Sequence, residues 1–137
     1  MPSRPRWCRR RARPCDAGLR VDGLGAIVAP GSGRRVEDAA VLEALSTLLE
    51  GARIPVVSAC GALGHAASGT EASHVALAVL ALREGSVPPT PGFRAADAAH
   101  ARVAITTTPT PLAAPAVLVL SSGWDGQAHA LVLARVR

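Results

Sequence analysis

"SACGALGHAASGTEASHVALAVLALREGSVPPT", Ser58 to Thr90, decides the fold. It opens as a Gly/Ala-rich turn holding His65, and such turns feeding a helix are places where proteins present a catalytic group or hold an anion. After Gly69 the pattern is helical from Glu71 to Glu84, stopped by Gly85 with Pro88 and Pro89 beyond. Ala72, Val75, Ala76, Ala78, Val79, Leu80 and Leu82 occupy nearly every side of this helix. A helix apolar all round wants neighbours all round, so it belongs between two layers. His74 within it reads as a packed or partner-facing side chain, not a metal ligand.

Outward from that stretch the chain alternates strand and helix. "LGAIVAP" (Leu24–Pro30) and "IPVVSA" (Ile54–Ala59) are short apolar runs that read as buried strands. Between them, after the loop "GSGRR", Val41, Leu45 and Leu48 recur at helical spacing, with Glu37 and Asp38 favouring the helix start and Gly51 its stop. A Pro-rich loop, "SVPPTPGFRAADAAHA", leads to three further strand-like runs, "ARVAITT", "PAVLVLSS" and "AHALVLARV". The last two are joined by the turn-rich "GWDGQ". The expected order is β-α-β-α-β-β-β: an α/β fold with a mixed sheet and helices packed on it.

Composition narrows the function classes. The chain has 137 residues, enough for one domain with a core, and its 2% aromatic content leaves packing to Ala, Val and Leu. Residues 1–20 hold seven arginines and one acid, whereas residues 21–137 hold eight arginines and nine acids. The net charge of +5 is therefore a property of the tail. No Arg/aromatic interleaving, helix-turn-helix or zinc-finger spacing accompanies that tail, so a nucleic-acid partner is not expected. Cys8, Cys15 and Cys60 show no metal-type spacing, and an odd set of cysteines suits a reduced, cytoplasmic protein. The basic start lacks the apolar run of a signal peptide, and "HVALAVLAL" is too short to span a bilayer. No metal, cofactor or membrane partner is expected. Residues 1–15 read as a disordered arm or a mis-assigned start, and residues 16–137 as the folded domain.

Three motifs carry a family resemblance. "VDGLGAIVAPGSGRRVEDAAVLEAL" resembles a segment V-D-x-x-x-A-H-G-T-x-T-x-x-x-D, which puts the family histidine on Pro30. "VVSACGALGHAASGTEASHVALAVLALREGSVPPT" resembles K-S-x-x-G-H-x-x-G-A-A-G with its helix and closing P-P-T. Anchored on Ser58, Gly61, Gly69, Glu71, Ala72 and Pro88-Pro89-Thr90, that alignment puts the lysine on Val57 and the histidine on Ala62. "SSGWDGQAHALVLAR" resembles the hairpin G-F-G-G-x-N-A-x-L-V-L, with Ser122, Trp124 and Ala128 in place of two phenylalanines and an asparagine. Together these are similar to the C-terminal half of the thiolase-like β-ketoacyl synthases.

The resemblance implies a thiolase-like C-terminal half and an acyltransferase family whose N-terminal half carries the nucleophilic cysteine. It also implies Pro30, Val57 and Ala62 as vestigial positions, with no catalytic residue. An imidazole pair is needed to stabilise the charge that develops after malonyl decarboxylation, and proline and alanine donate no such hydrogen bond. His65 is then a loop histidine, and Cys60 lacks a general base. The chain alone is not expected to be active. The implied role is a non-catalytic, chain-length-factor-like subunit of polyketide or fatty-acid elongation. Its implied partners are a ketosynthase subunit or separate N-terminal half and, indirectly, an acyl carrier protein. The alternative is a truncated C-terminal half of an ordinary 3-oxoacyl-[acyl-carrier-protein] synthase.

Overall fold

The computed structural model describes residues 18–95, 101–123 and 125–135. The Arg-rich segment 1–15, with Cys8 and Cys15, and Trp124 lie outside these residues. β1 (Leu24–Val28) is the middle of the sheet and every one of its residues is buried. It runs parallel to β2 (Val56–Val57) on one side and to β5 (Ala116–Ser122) on the other. A parallel strand covered on both faces has no solvent side, so its sequence is an uninterrupted apolar run. β6 (Ala128–Ala134) returns antiparallel along β5, from Ser122 opposite Ala128 to Ala116 opposite Ala134. The sheet is mixed, in the order β2-β1-β5-β6.

Strand alternation divides the core in two. Ile27, Ala116, Leu118 and Leu120 point to the face covered by α1 (Arg35–Leu49), where they meet Val41, Leu45 and Leu49. Ala26, Val28, Val117 and Val119 point to the opposite face, where they meet Ala78, Ala81 and Leu82 of α3 (Ser68–Glu84). The result is three layers, helix on sheet on helix, built largely of small and medium aliphatic side chains. Gly25 sits where the β1–β5 register slips, and a Cβ there would collide with the Ala114 carbonyl. A bare glycine lets the two backbones approach.

Local chemistry sets the helix ends. Asp38 accepts the Ser32 and Gly33 backbone N–H groups at 2.8 and 2.9 Å, folding the "GSG" loop back onto the start of α1. The Arg135 guanidinium donates to the Leu82 and Arg83 carbonyls, which covers the C-terminal end of α3 with a cation. Two groups of that end which the helix leaves unpaired are thereby satisfied. No described helix is long and apolar enough to cross a membrane.

Two expectations change. "ARVAITT" forms no strand; it contributes a single parallel bridge, Ile105 to Val56. The hydroxyl of Thr106 bonds the Pro88 carbonyl at 2.9 Å, tying the segment to the Pro-rich loop. That loop is also more ordered than its composition suggests. Its first residues form β3 (Ser86–Val87), paired antiparallel with β4 (Thr110–Pro111) in a separate two-stranded ladder. A short helical turn, α2 (Cys60–Leu63), precedes α3 and was not expected.

Candidate functional site

The carboxyl end of β1, the α2–α3 turn, the first turns of α3 and the β5–β6 connection enclose a cleft of about 360 Å³. Pro30, His65, Thr70, Glu71, His74 and Asp125 are among the residues that line it. Ligand crevices of α/β sheets lie outside the carboxyl ends of the strands, and this one does too.

The α2–α3 turn is shaped by unusual backbone. Gly64 has φ 75° and ψ 179°, and Ala67, which caps α3, has φ 48° and ψ −124°. The first suits glycine; the second costs a side-chain-bearing residue on the order of 1–3 kcal/mol. The strain is held by two local bonds. The Ala67 N–H donates to His65 Nδ1 at 3.2 Å, and the Ala66 N–H donates to Thr70 Oγ1 at 2.8 Å. They fix His65 on the cleft wall.

Of the family-motif positions the structure brings Pro30 to the cleft, and with it the loop histidine His65. Val57 does not reach it: it is 1% exposed, paired with Val28 and packed in the core beneath α3. Ala62 is on the exposed surface of α2 and does not line the cleft. The Gly64–His65 step, three residues further on, is what the turn delivers.

One residue pair was missed. His74 is 1% exposed, and its Nε2 stands 3.7 Å from Cys60 Sγ. Burial in an apolar setting lowers the His74 pKa from its usual value, and the neighbouring His65 lowers it further, against an opposing pull from Glu71. Burial and His65 thus both favour the uncharged imidazole. α3 thus carries an imidazole to Cys60, a neighbour that the sequence reading did not place there. A signal was available: Thr70, His74, Ala78 and Ala81 form the buried stripe of α3, so His74 is on the sheet side. Only the fold shows that α2 begins there as well.

A polar network underlies the pair. The Pro30 carbonyl accepts both Ser58 Oγ, at 3.0 Å, and the Cys60 thiol, at 3.1 Å. Ser58 Oγ also accepts the Cys60 N–H at 3.3 Å. The network continues through Thr90, whose Oγ1 accepts the Ser58 N–H and lies 3.3 Å from the buried Thr106 Oγ1. Gly31, at φ 55°, has no room for a Cβ because Ser58 fills that space. Among the described residues no three His, Cys, Asp or Glu side chains converge to hold a metal ion.

Comparison with known proteins agrees with this architecture. The family model of the beta-ketoacyl synthase C-terminal domain matches residues 11–94. A Streptomyces coelicolor protein named for a polyketide beta-ketoacyl synthase 2 is 34% identical over 122 residues, covering 88% of this chain and 28% of that protein. The ishigamide ketosynthase/chain length factor shares the fold with a TM-score of 0.81, at 24% identity over 89% of this chain and 30% of its own. A type II acyl-carrier protein complex with its ketosynthase, bound to the hexaketide, gives a TM-score of 0.80 at 23% identity, over 88% of this chain and 30% of the matched one. The chain thus spans less than a third of the length of these relatives. Motifs, three-layer fold and family match converge: the chain belongs to the β-ketoacyl synthase family, as its C-terminal domain.

Proposed function

We propose that this chain serves polyketide chain elongation as a ketosynthase-like part that performs no condensation, in the manner of a chain length factor. The observation that carries the reading is Pro30. It stands on the cleft at the carboxyl end of β1, where the family motif has a histidine. Its ring offers no donor, and its carbonyl is already engaged by Ser58 and Cys60. Decarboxylative condensation needs charge stabilisation from preorganised donors, and one of the two imidazoles is replaced by a group that cannot supply it. The likeness to a polyketide beta-ketoacyl synthase 2 and to a ketosynthase/chain length factor fits the same role.

The remaining two thirds of a thiolase-like fold, together with a ketosynthase subunit, are the proposed partners, with an acyl carrier protein met through them. The outward side of α3 supports this: Ala72, Ala76, Val79 and Leu80 are exposed there. The Arg-rich residues 1–15 are proposed to stand apart from this function.

The test is malonyl-carrier-protein decarboxylation by the chain assembled with a ketosynthase subunit. All turnover should vanish when the ketosynthase's own nucleophilic cysteine is replaced, and none should depend on His65. Turnover that survives the cysteine replacement and is lost in His65→Ala would overturn the reading.

A further inference from the structure

We infer that Cys60 and His74 form an acyl-accepting dyad: the thiol takes an acyl group from a soluble or carrier-bound thioester, with the imidazole as proton acceptor. The thioester class rests on the ketosynthase-like reading above; the dyad rests on geometry alone. Nucleophilic sites are recognised by a nucleophile and a base within hydrogen-bond reach beside a cleft that can hold the electrophile. Cys60 Sγ and His74 Nε2 are 3.7 Å apart, a contact with sulfur that tightens readily when substrate binds.

The supporting structure is specific to this pair. Cys60 is a free thiol, half-buried, beside two residues that line the cleft, Pro30 and His74. The Pro30 carbonyl accepts the thiol at 3.1 Å and the Ser58 hydroxyl accepts the Cys60 backbone N–H, so the residue is held at its side chain and at its backbone. His74 is anchored on the sheet-facing stripe of α3 and is almost wholly buried. The charged or titratable groups that act on it are His65 and Glu71, both on the cleft, with Asp125 across the opening. In the tautomer with Nε2 unprotonated, the imidazole stands within reach of the thiol and can accept its proton.

The step balances without an added oxidant or metal. The Cys60 sulfur attacks the thioester carbonyl while its proton passes to His74 Nε2. The tetrahedral adduct collapses, the new C–S bond remains on Cys60, and the leaving sulfur departs with the proton from His74. Products are S-acyl-Cys60 and a free thiol. No carbon–carbon bond forms and no carbon dioxide is lost, so the step is compatible with a chain that does not condense.

The experiment treats the full chain with octanoyl N-acetylcysteamine and maps the adduct by peptide mass. The expected result is one octanoyl group on Cys60, formed faster than on Cys8 or Cys15 of the same molecule, and absent from Cys60→Ala. His74→Gln should slow acylation at pH 7 about a hundredfold, with the deficit shrinking above about pH 9, where thiols ionise unaided. Because His74→Gln replaces a buried side chain, iodoacetamide labelling of the unaltered chain is the second measurement: Cys60 should outrun Cys8 and Cys15. Labelling of Cys60 at or below their rate overturns the dyad, as does octanoylation of His74→Gln at the unaltered rate. Rapid alkylation of Cys60 without octanoyl transfer overturns the thioester assignment. None of these outcomes bears on decarboxylation, so the proposed function stands or falls separately.

Discussion

The two helices lie on opposite faces of one sheet and are nearly equal in length, yet they meet different surroundings. α1 buries Val41, Ala44, Leu45 and Leu49 against the sheet and turns Glu43 and Thr47 to solvent. α3 buries Thr70, His74, Ala78, Ala81 and Leu82, but turns Ala72, Ala76, Val79 and Leu80 outward. α1 is a surface helix. α3 has the composition of an inner-layer helix, yet Val79 is 44% and Leu80 51% exposed. A helix on one sheet needs one apolar stripe; a second stripe is informative because nothing among the described residues covers it.

The largest effect that tests this comparison is on the finished side. Leu45 of α1 is 0% exposed, at the centre of the core beneath that helix. Leu45→Ala should cost about 2–5 kcal/mol, read as a fall in the urea midpoint with an unchanged slope. A loss below about 1 kcal/mol would mean that α1 is no better anchored than the outward side of α3.

Much of this division was legible in the sequence. The β1 and β5 runs are uninterrupted because parallel inner strands have no wet face, and the all-round apolar character of α3 is written in its residue types. Other parts were hidden for physical reasons. β3 and β4 are two-residue ladders inside a Pro-rich stretch, where local propensity argues against strand and tertiary contact decides. Ile105 makes a single bridge to Val56, and the Thr106 hydroxyl that ties the segment to the Pro88 carbonyl is a tertiary contact. The site was the least legible part. Counting across the Gly-rich turn gives Val57 and Ala62 as family positions, but a turn with φ of 75° at Gly64 and 48° at Ala67 selects which side chains reach the cleft. The Cys60–His74 contact joins residues fourteen apart through that turn. Periodicity cannot show it.

The next effect sharpens the comparison through pH, since among the described residues only the α3 face carries a buried histidine. The folded-state pKa of His74 is lowered from 6.5, chiefly by burial. The unfolded chain therefore binds the proton more readily than the folded one. Stability is full above about 6.5 and declines as pH falls from there through the lower folded value. One group can contribute at most one proton, or about 1.4 kcal/mol per pH unit. His74→Gln should flatten this part of the acid limb, measured by thermal melts between pH 7 and 5. An unchanged limb would show that His74 is not buried uncharged.

A smaller effect tests the end of α3. Arg135→Ala should cost about 1 kcal/mol, because the Leu82 and Arg83 carbonyls lose their donor. Hydrogen exchange should rise in the last turn of α3 and remain constant in α1. Equal changes in both helices would show that the guanidinium acts through the whole sheet.

The smallest effect on folding is the most telling for function. Leu80 is on the outward side of α3, half exposed and outside both buried clusters. Leu80→Ser should alter the folding stability of the isolated chain by no more than about 0.5 kcal/mol, the usual scale for surface changes. The same substitution should lower hydrophobic-dye binding and shift sedimentation toward monomer. An uncovered apolar patch on the order of a few hundred Å² is at the limit monomers tolerate, and at about 25 cal/mol per Å² its burial is worth several kcal/mol. Folding and association thus separate at one residue: Leu45 matters to the first, Leu80 to the second. A dye-negative, monomeric chain before any substitution would show that α3 needs no second layer, and the comparison between the two helices would lose its functional meaning.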